Sequence, residues 1–203
     1  MLEVITLRHG LTEWNKEKRM QGQTDIPLSP EGIQILEQYT VPAQWYEYDW
    51  HCSPLKRAKQ TAECLGLKAQ THKPLSEMNW GDWEGRTHAE LKAHYGQQVF
   101  SEFEDKGLDL QPPNGESPRQ VQQRVSAWID TMTGTEDTPA PIGIVVHKGV
   151  IRAMLAAAYD WNMLNKPPVK LDYQAAQRFG WDKHKQCWLL LEANIQLLPE
   201  IPA

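Results

Sequence analysis

The chain has 203 residues, with 21 Lys and Arg against 26 Asp and Glu, a formal charge of −5. Its 40% hydrophobic and 23% charged content excludes collagen, low-complexity disorder and a disulfide scaffold. A chain of this length can bury about 70% of its unfolded surface without staples, and an acidic balance argues against a nucleic-acid partner. No charge-free run approaches the ~18 residues of a membrane helix. Residues 1–5 lack the basic flank of a signal peptide, so no membrane association and a cytoplasmic location are expected. Cys52, Cys64 and Cys187 form no CxxC pair, and reduced thiols in the core are expected.

In chain order, Val4, Ile5 and Leu7 form a β-rich run that ends at Arg8-His9-Gly10. Ser29-Pro30 reads as a helix start, with Ser as cap and Pro at the first helical position. Tyr48-Asp49-Trp50 is a further strand candidate. Ser53-Pro54 repeats the helix-start pair, followed by a stripe of Leu55, Ala58, Ala62 and Leu65. Thr87 and Glu90 have capping-box spacing ahead of Leu91. Residues 111–115 read as a loop. Ser117-Pro118 with Gln120 opens a helix whose stripe is Val121, Val125, Trp128, Ile129 and Met132. Residues 133–141 read as a second loop. Ile142 to Val146 is a buried strand ending at His147-Lys148-Gly149, and residues 150–158 look helical. Residues 188–191 are a late strand, continued over 195–198, while residues 174–182 are expected at the pocket mouth or a dimer contact. Strands and helices alternate throughout, which favours an α/β sheet with helices on both faces.

His9 and His147 each follow a strand and sit beside a basic residue. In an open α/β sheet, ligands bind beyond the carboxyl ends of the strands. If the two strands are neighbours, the imidazoles meet in one pocket. Spacing alone leaves packed and functional histidines equally open.

The run Leu7-Arg8-His9-Gly10-Leu11-Thr12-Glu13-Trp14-Asn15 resembles the signature of the histidine phosphatase superfamily, the phosphoglycerate-mutase-like family. The likeness continues through Arg19-Met20-Gln21-Gly22-Gln23-Thr24-Asp25-Ile26-Pro27-Leu28-Ser29 and Ser53-Pro54-Leu55-Lys56-Arg57-Ala58. It returns at Leu75-Ser76-Glu77, Gly81-Asp82-Trp83-Glu84-Gly85, Asn114-Gly115-Glu116-Ser117 and His147-Lys148-Gly149-Val150-Ile151-Arg152. These blocks, in this order, cover residues 1 to about 155. The resemblance implies a three-layer α/β/α sandwich with a mostly parallel central sheet. It also implies a single domain over 1–203, with a small helical lid at about 86–116.

The resemblance assigns His9 as the nucleophile that becomes phosphorylated. A neutral imidazole can attack phosphorus, and nearby arginines favour that neutral form. Arg8, Arg57 and His147 match phosphate-pocket residues, where an always-charged planar fork suits phosphoryl oxygens. Asn15 matches a position that contacts phosphate or holds the loop, and Gln21 and Gly22 belong to the same binding set. Glu77 matches the general acid/base. It needs a raised pKa, which Leu75, Met78 and Trp80 could provide by burying it. Glu84, the competing carboxylate, falls in a block that reads as structural. Trp14, Trp80 and Trp83 read as packing.

No HExxH, EF-hand loop or P-loop occurs, so no metal and no cofactor are expected. His51 beside Cys52 reads as a core or surface pair, and His72, His88, His94 and His184 lack a usable partner pattern. The expected partner is a small phosphorylated metabolite, and a homodimer is left open. The resemblance points to a metal-independent phosphomonoesterase. The alternatives are a phosphoglycerate mutase or related phosphotransferase, and a catalytically inactive phosphoester-binding protein. Residues 86–116 carry three basic against six acidic side chains, poorly suited to clamping a sugar acid. One position departs from the family pattern: the second histidine is commonly followed there by Gly-Gly or Gly-Asn, and here by Lys148-Gly149. Lys148 is therefore a further candidate for substrate contact.

Overall fold

The computed structural model describes residues 1–134 and 139–200. Four strands run parallel at its centre: β1 (Leu2–Arg8), β3 (Asp49–Cys52), β4 (Ala69–Thr71) and β5 (Ile142–Val146). A short β2 (Tyr39–Thr40) lies apart from them. The strands β6 (Ala176–Asp182) and β7 (Cys187–Ile195) add antiparallel partners in the order β4-β3-β5-β1-β6-β7.

The helices are α1 (Glu13–Lys16), α2 (Pro30–Leu36), α3 (Lys56–Cys64), α4 (His88–Tyr95), α5 (Gln97–Glu104), α6 (Pro118–Met132) and α7 (Lys148–Tyr159). Alternation along the strands builds a core on each side of the sheet. Leu2 and Val4 of β1 and Ile142, Ile144 and Val146 of β5 face α6 and α7. Ile5 and Leu7 of β1 and Val145 of β5 face the other way, toward Leu36 of α2 and Ala58 and Ala62 of α3. The result is three layers, helix on sheet on helix. Each fully buried aliphatic side chain in them contributes about 1.5–3 kcal/mol. At Gly143 a Cβ would lie 2.4 Å from the Trp50 ring, so this central strand position has no room for a side chain.

The caps form where the sequence places them. Ser29 Oγ accepts from Gly32 N, and Thr87 with Glu90 and Ser117 with Gln120 close capping boxes. Ser53-Pro54 is a correction. Ser53 N still donates to Val145 O in the sheet, Leu55 remains extended, and α3 begins at Lys56. Those two residues are the tail of a strand and a connector.

Residues 174–182 also differ from expectation. Most of the segment is β6, an inner strand between β1 and β7. Its buried Gln177 disguised the apolar pattern; its amide donates to the nearby Asp172 O and Ala175 O, and its oxygen accepts from the distant Asn194 N. The late strand does not continue through 195–198: β7 ends at Ile195, and β8 (Leu198–Pro199) pairs with β2 in a separate two-stranded sheet. Of the expected 133–141 loop, residues 135–138 lie outside the described residues. Among the described residues, no helix is long and apolar enough to cross a membrane. The cysteines are free, with Cys52 buried and its thiol pushed up to about 11 by that burial.

Candidate active site

The parallel pairing of β1 with β5 sets Arg8 against Val146, so the residues that follow both strands emerge side by side. His9 N donates to Val146 O at 3.0 Å. The His9 and His147 rings lie 5.1 Å apart between centroids, tilted by 55°. Both are buried.

Their hydrogen bonds define their tautomers. His9 Nδ1 lies 2.7 Å from Gly10 O, which can only accept, so Nδ1 carries the proton and Nε2 keeps its lone pair. Arg57 Nε donates to His147 Nδ1 at 3.3 Å, so His147 carries its proton on Nε2. That Nε2 is buried and has no partner among the described residues. Burial, then the charges of Arg8 and Arg57, hold His9 well below the usual histidine pKa. Burial, then Arg57 and His9, do the same for His147. Both imidazoles are therefore neutral at ordinary pH.

Arg57 is fully buried. Beyond His147, its Nη1 donates to Thr24 O at 3.0 Å and its Nη2 to Gly22 O at 2.7 Å. Gly22 thus meets the site through its carbonyl, as a holder of Arg57. A Cβ on Gly22 would lie 1.8 Å from Glu84 Oε1. Glu84 accepts from Gln23 N, Thr24 N, Thr24 Oγ1 and Trp80 N, so it pins the loop that carries Arg57's acceptors.

A cavity of about 510 Å³ opens above this layer, lined by Arg8, His9, Asn15, Gln21, Glu77 and Lys148 among others. Arg57 and His147 are not among its lining residues; they adjoin it through His9, whose ring stands beside that of His147. Asn15 Oδ1 and backbone N close the cap of α1 with Thr12. Thr12 Oγ1 also donates to Gln21 Oε1 at 2.9 Å. Asn15 therefore holds the loop and lines the cavity at once. Arg8 Nε is buried without a partner among the described residues, and its guanidinium carbon stands 5.9 Å from the centroid of the Tyr173 ring.

Glu77 is buried across the cavity. Its Oε1 accepts from Met78 N at 2.8 Å and its Oε2 from Gly149 N at 3.1 Å. Burial raises its pKa, and the two amides, Arg57 and Arg124 oppose that rise. A Cβ at Gly149 would lie 2.3 Å from Glu77 Oε1, so a side chain there would push the Glu77 carboxyl group out of its place.

Two residues that brace Glu77 carried no role in the sequence reading. Arg124 of α6 donates to the carbonyls of Pro74, Ser76 and Glu77 and to both oxygens of Glu116. Glu116 in turn accepts from Asn79 N. The one available signal was Glu116 inside the Asn-Gly-Glu-Ser block. Tyr173, Arg152 and Met163 also border the site without having been singled out.

Trp83 packs with Leu91 and Phe100 beneath α4 and α5, and Trp80 stacks on it with ring centroids 6.2 Å apart. Trp83 also lines the cavity. Away from the site, His51 Nδ1 and His72 Nε2 are 3.1 Å apart against Trp128. His72 therefore does have a partner. Among the described residues, no group of three or more His, Cys, Asp or Glu is placed to hold a metal ion.

A family model described as "Histidine phosphatase superfamily (branch 1)" matches residues 4–195. The glucosyl-3-phosphoglycerate phosphatase of Mycobacterium tuberculosis is 31% identical over 81% of this chain and 78% of its own. A probable phosphoglycerate mutase of Escherichia coli, GpmB, is 32% identical over 72% and 70%. The solved mycobacterial glucosyl-3-phosphoglycerate phosphatase in complex with VO3 superposes with a TM-score of 0.76 at 27% identity, covering 97% of this chain and 100% of that one.

Proposed function

The chain belongs to the histidine phosphatase superfamily, and from that membership we propose that it is a metal-independent phosphomonoester hydrolase with a phosphohistidine intermediate on His9. The observation that carries this reading is the pair of apposed neutral imidazoles, one with a free Nε2 lone pair and the other with an unpartnered buried Nε2–H. Unpaired buried donors are rare unless they await a partner. Phosphoryl oxygens are suitable acceptors for His147 Nε2–H and Arg8 Nε–H. The cavity volume falls in the range of small-molecule sites, which suits a phosphorylated metabolite.

In this mechanism His9 Nε2 attacks phosphorus and the P–O ester bond breaks. The Glu77 carboxyl proton passes to the leaving oxygen. Glu77, now a carboxylate, takes a proton from water. The resulting hydroxide attacks phosphorus, the P–N bond breaks and its electron pair returns to Nε2. Positive charge for the transferring group comes from Arg8 and Arg57, with Asn15 and Gln21 beside them and Lys148 at the rim. Helices α4 and α5 act as the lid of a domain that spans the chain.

A mutase with the same first step is the second reading, favoured by the likeness to GpmB. The acidic balance of residues 86–116 supports hydrolysis instead. The test is trapping. Brief exposure to a labelled phosphomonoester should leave acid-labile phosphate on the native chain and none on His9→Ala. p-Nitrophenyl phosphate should be hydrolysed with no added metal. Label on neither chain would overturn the reading in favour of a binding protein. Rapid interconversion of 2- and 3-phosphoglycerate would overturn it in favour of a mutase.

A further inference from the structure

Two cations beside the phosphate pocket, Lys148 and Arg152, take no step in the mechanism above. Lys148 is the first residue of α7 and Arg152 lies one turn on, so both project from one face of that helix into the cavity. The Lys148 ammonium stands 5.3 Å from the Tyr173 ring centroid, on a ring that Arg8 also approaches. Arg152 stacks on Trp161 with its guanidinium carbon 5.0 Å from the ring centroid, which fixes its direction. Among the described residues, none of Arg8, Lys148 and Arg152 has a carboxylate within ion-pair distance, although most other arginines do.

The charges do not balance for a simple phosphate ester. A phosphomonoester carries roughly −1.5 to −2 near neutral pH, which Arg8 and Arg57 already match. Lys148 and Arg152 add two more positive charges to a half-enclosed cavity, in a chain whose net charge is −5. Glu77 and Glu104 also line the cavity, but neither forms an ion pair with Lys148 or Arg152 among the described residues, and like charges held together repel more strongly where water is partly excluded. An occupant with a second negative charge removes that repulsion. The segment at 86–116 is acidic on balance and poorly suited to such recognition, whereas the start of α7 presents two cations to the cavity.

We infer that Lys148, with Arg152, forms a second anion subsite that selects phosphomonoesters bearing a further carboxylate or phosphate on the leaving group. Lys148 is thereby a specificity-determining residue, at the position where the chain departs from the family's glycine. This inference rests on the hydrolase reading for the placement of the first phosphate.

The test is binding, which separates it from turnover. Titration calorimetry on His9→Ala compares three ligands on one three-carbon frame: glycerol 3-phosphate, 3-phosphoglycerate and glycerol 1,3-bisphosphate. At least one of the doubly anionic ligands should bind about tenfold or more tightly than glycerol 3-phosphate, the scale of one added charged hydrogen bond. The tighter of the two identifies carboxylate or phosphate as the second group. Adding Lys148→Met, an exposed position where the stem is kept, should bring the ratio toward one, and Arg152→Met should lower it. Equal affinity for all three ligands overturns the inference, as does binding of none. A preference that survives both substitutions also overturns it. Hydrolysis of p-nitrophenyl phosphate by the native chain is read separately and bears only on the hydrolase reading.

Discussion

The carboxyl group of Glu77 is held between opposing influences. Burial among side chains such as Leu75 and Met78 favours its protonated form, while two backbone amides and the charges of Arg57 and Arg124 favour the carboxylate. Burial wins, so the acid persists to higher pH than an exposed glutamate would allow. Activity that needs the protonated acid is present below the raised pKa and falls as pH climbs through it. Glu77→Gln should remove that alkaline limb. For alkyl phosphates kcat should fall by about 10²–10⁴. For p-nitrophenyl phosphate, whose leaving group departs without a proton, the loss should be much smaller. pH profiles of kcat/KM with both substrates check this, and equal losses on the two would remove Glu77 from the acid role. Glu77 could be found from Leu75-Ser76-Glu77. Arg124 could not, because it acts largely on carbonyls, and any residue presents a carbonyl.

At the scale of elements, α6 links stability to the site. Ser117 and Gln120 cap its start reciprocally, Ser117 N donating to Gln120 Oε1 at 2.8 Å, and its seventh residue is Arg124. Ser117→Ala should cost about 1 kcal/mol and lower Tm by about 2–4 °C for a chain of this length, read by thermal melting. An unchanged Tm would mean that solvent replaces the cap. Such caps were legible because an N-cap serine or threonine and a partner three residues on are a local pattern. The start of α3 was misread from the same kind of signal. Ser53 is engaged by Val145 of a neighbouring strand, and no local pattern carries that. Strand β6 was missed for a related reason: a polar residue in a buried strand is tolerated only when distant groups satisfy it, as Asn194 does for Gln177.

For the whole molecule, buried neutral histidines link folding to pH. His9, His147 and His51 all have pKa values lowered first by burial. The unfolded chain takes up protons near the ordinary value of about 6.5 and the folded chain does not. Their contribution is fully present above that value and is lost as pH falls below it. Glu77 acts with the opposite sign, its contribution fading as pH rises through its raised pKa, but it is one group against three. Tm should therefore drop between pH 7.5 and 5.5, and the drop should shrink in His51→Gln, a variant outside the site. A flat profile across that range would show that these histidines are not held neutral.

The sequence by itself determined the strand-to-histidine turns, most helix starts, the family blocks and the departure at Lys148. Each is a short-range pattern, readable wherever a few neighbouring residues must satisfy one backbone geometry. Only the tertiary structure decided that His9 and His147 face each other, that buried Arg57 is held by the carbonyls of Gly22 and Thr24, and that Arg124 braces Glu77. It alone gathered the surplus cations around Tyr173. These are contacts between residues far apart along the chain. Their strength comes from exclusion of water by the surrounding layers, a quantity that no single segment contains.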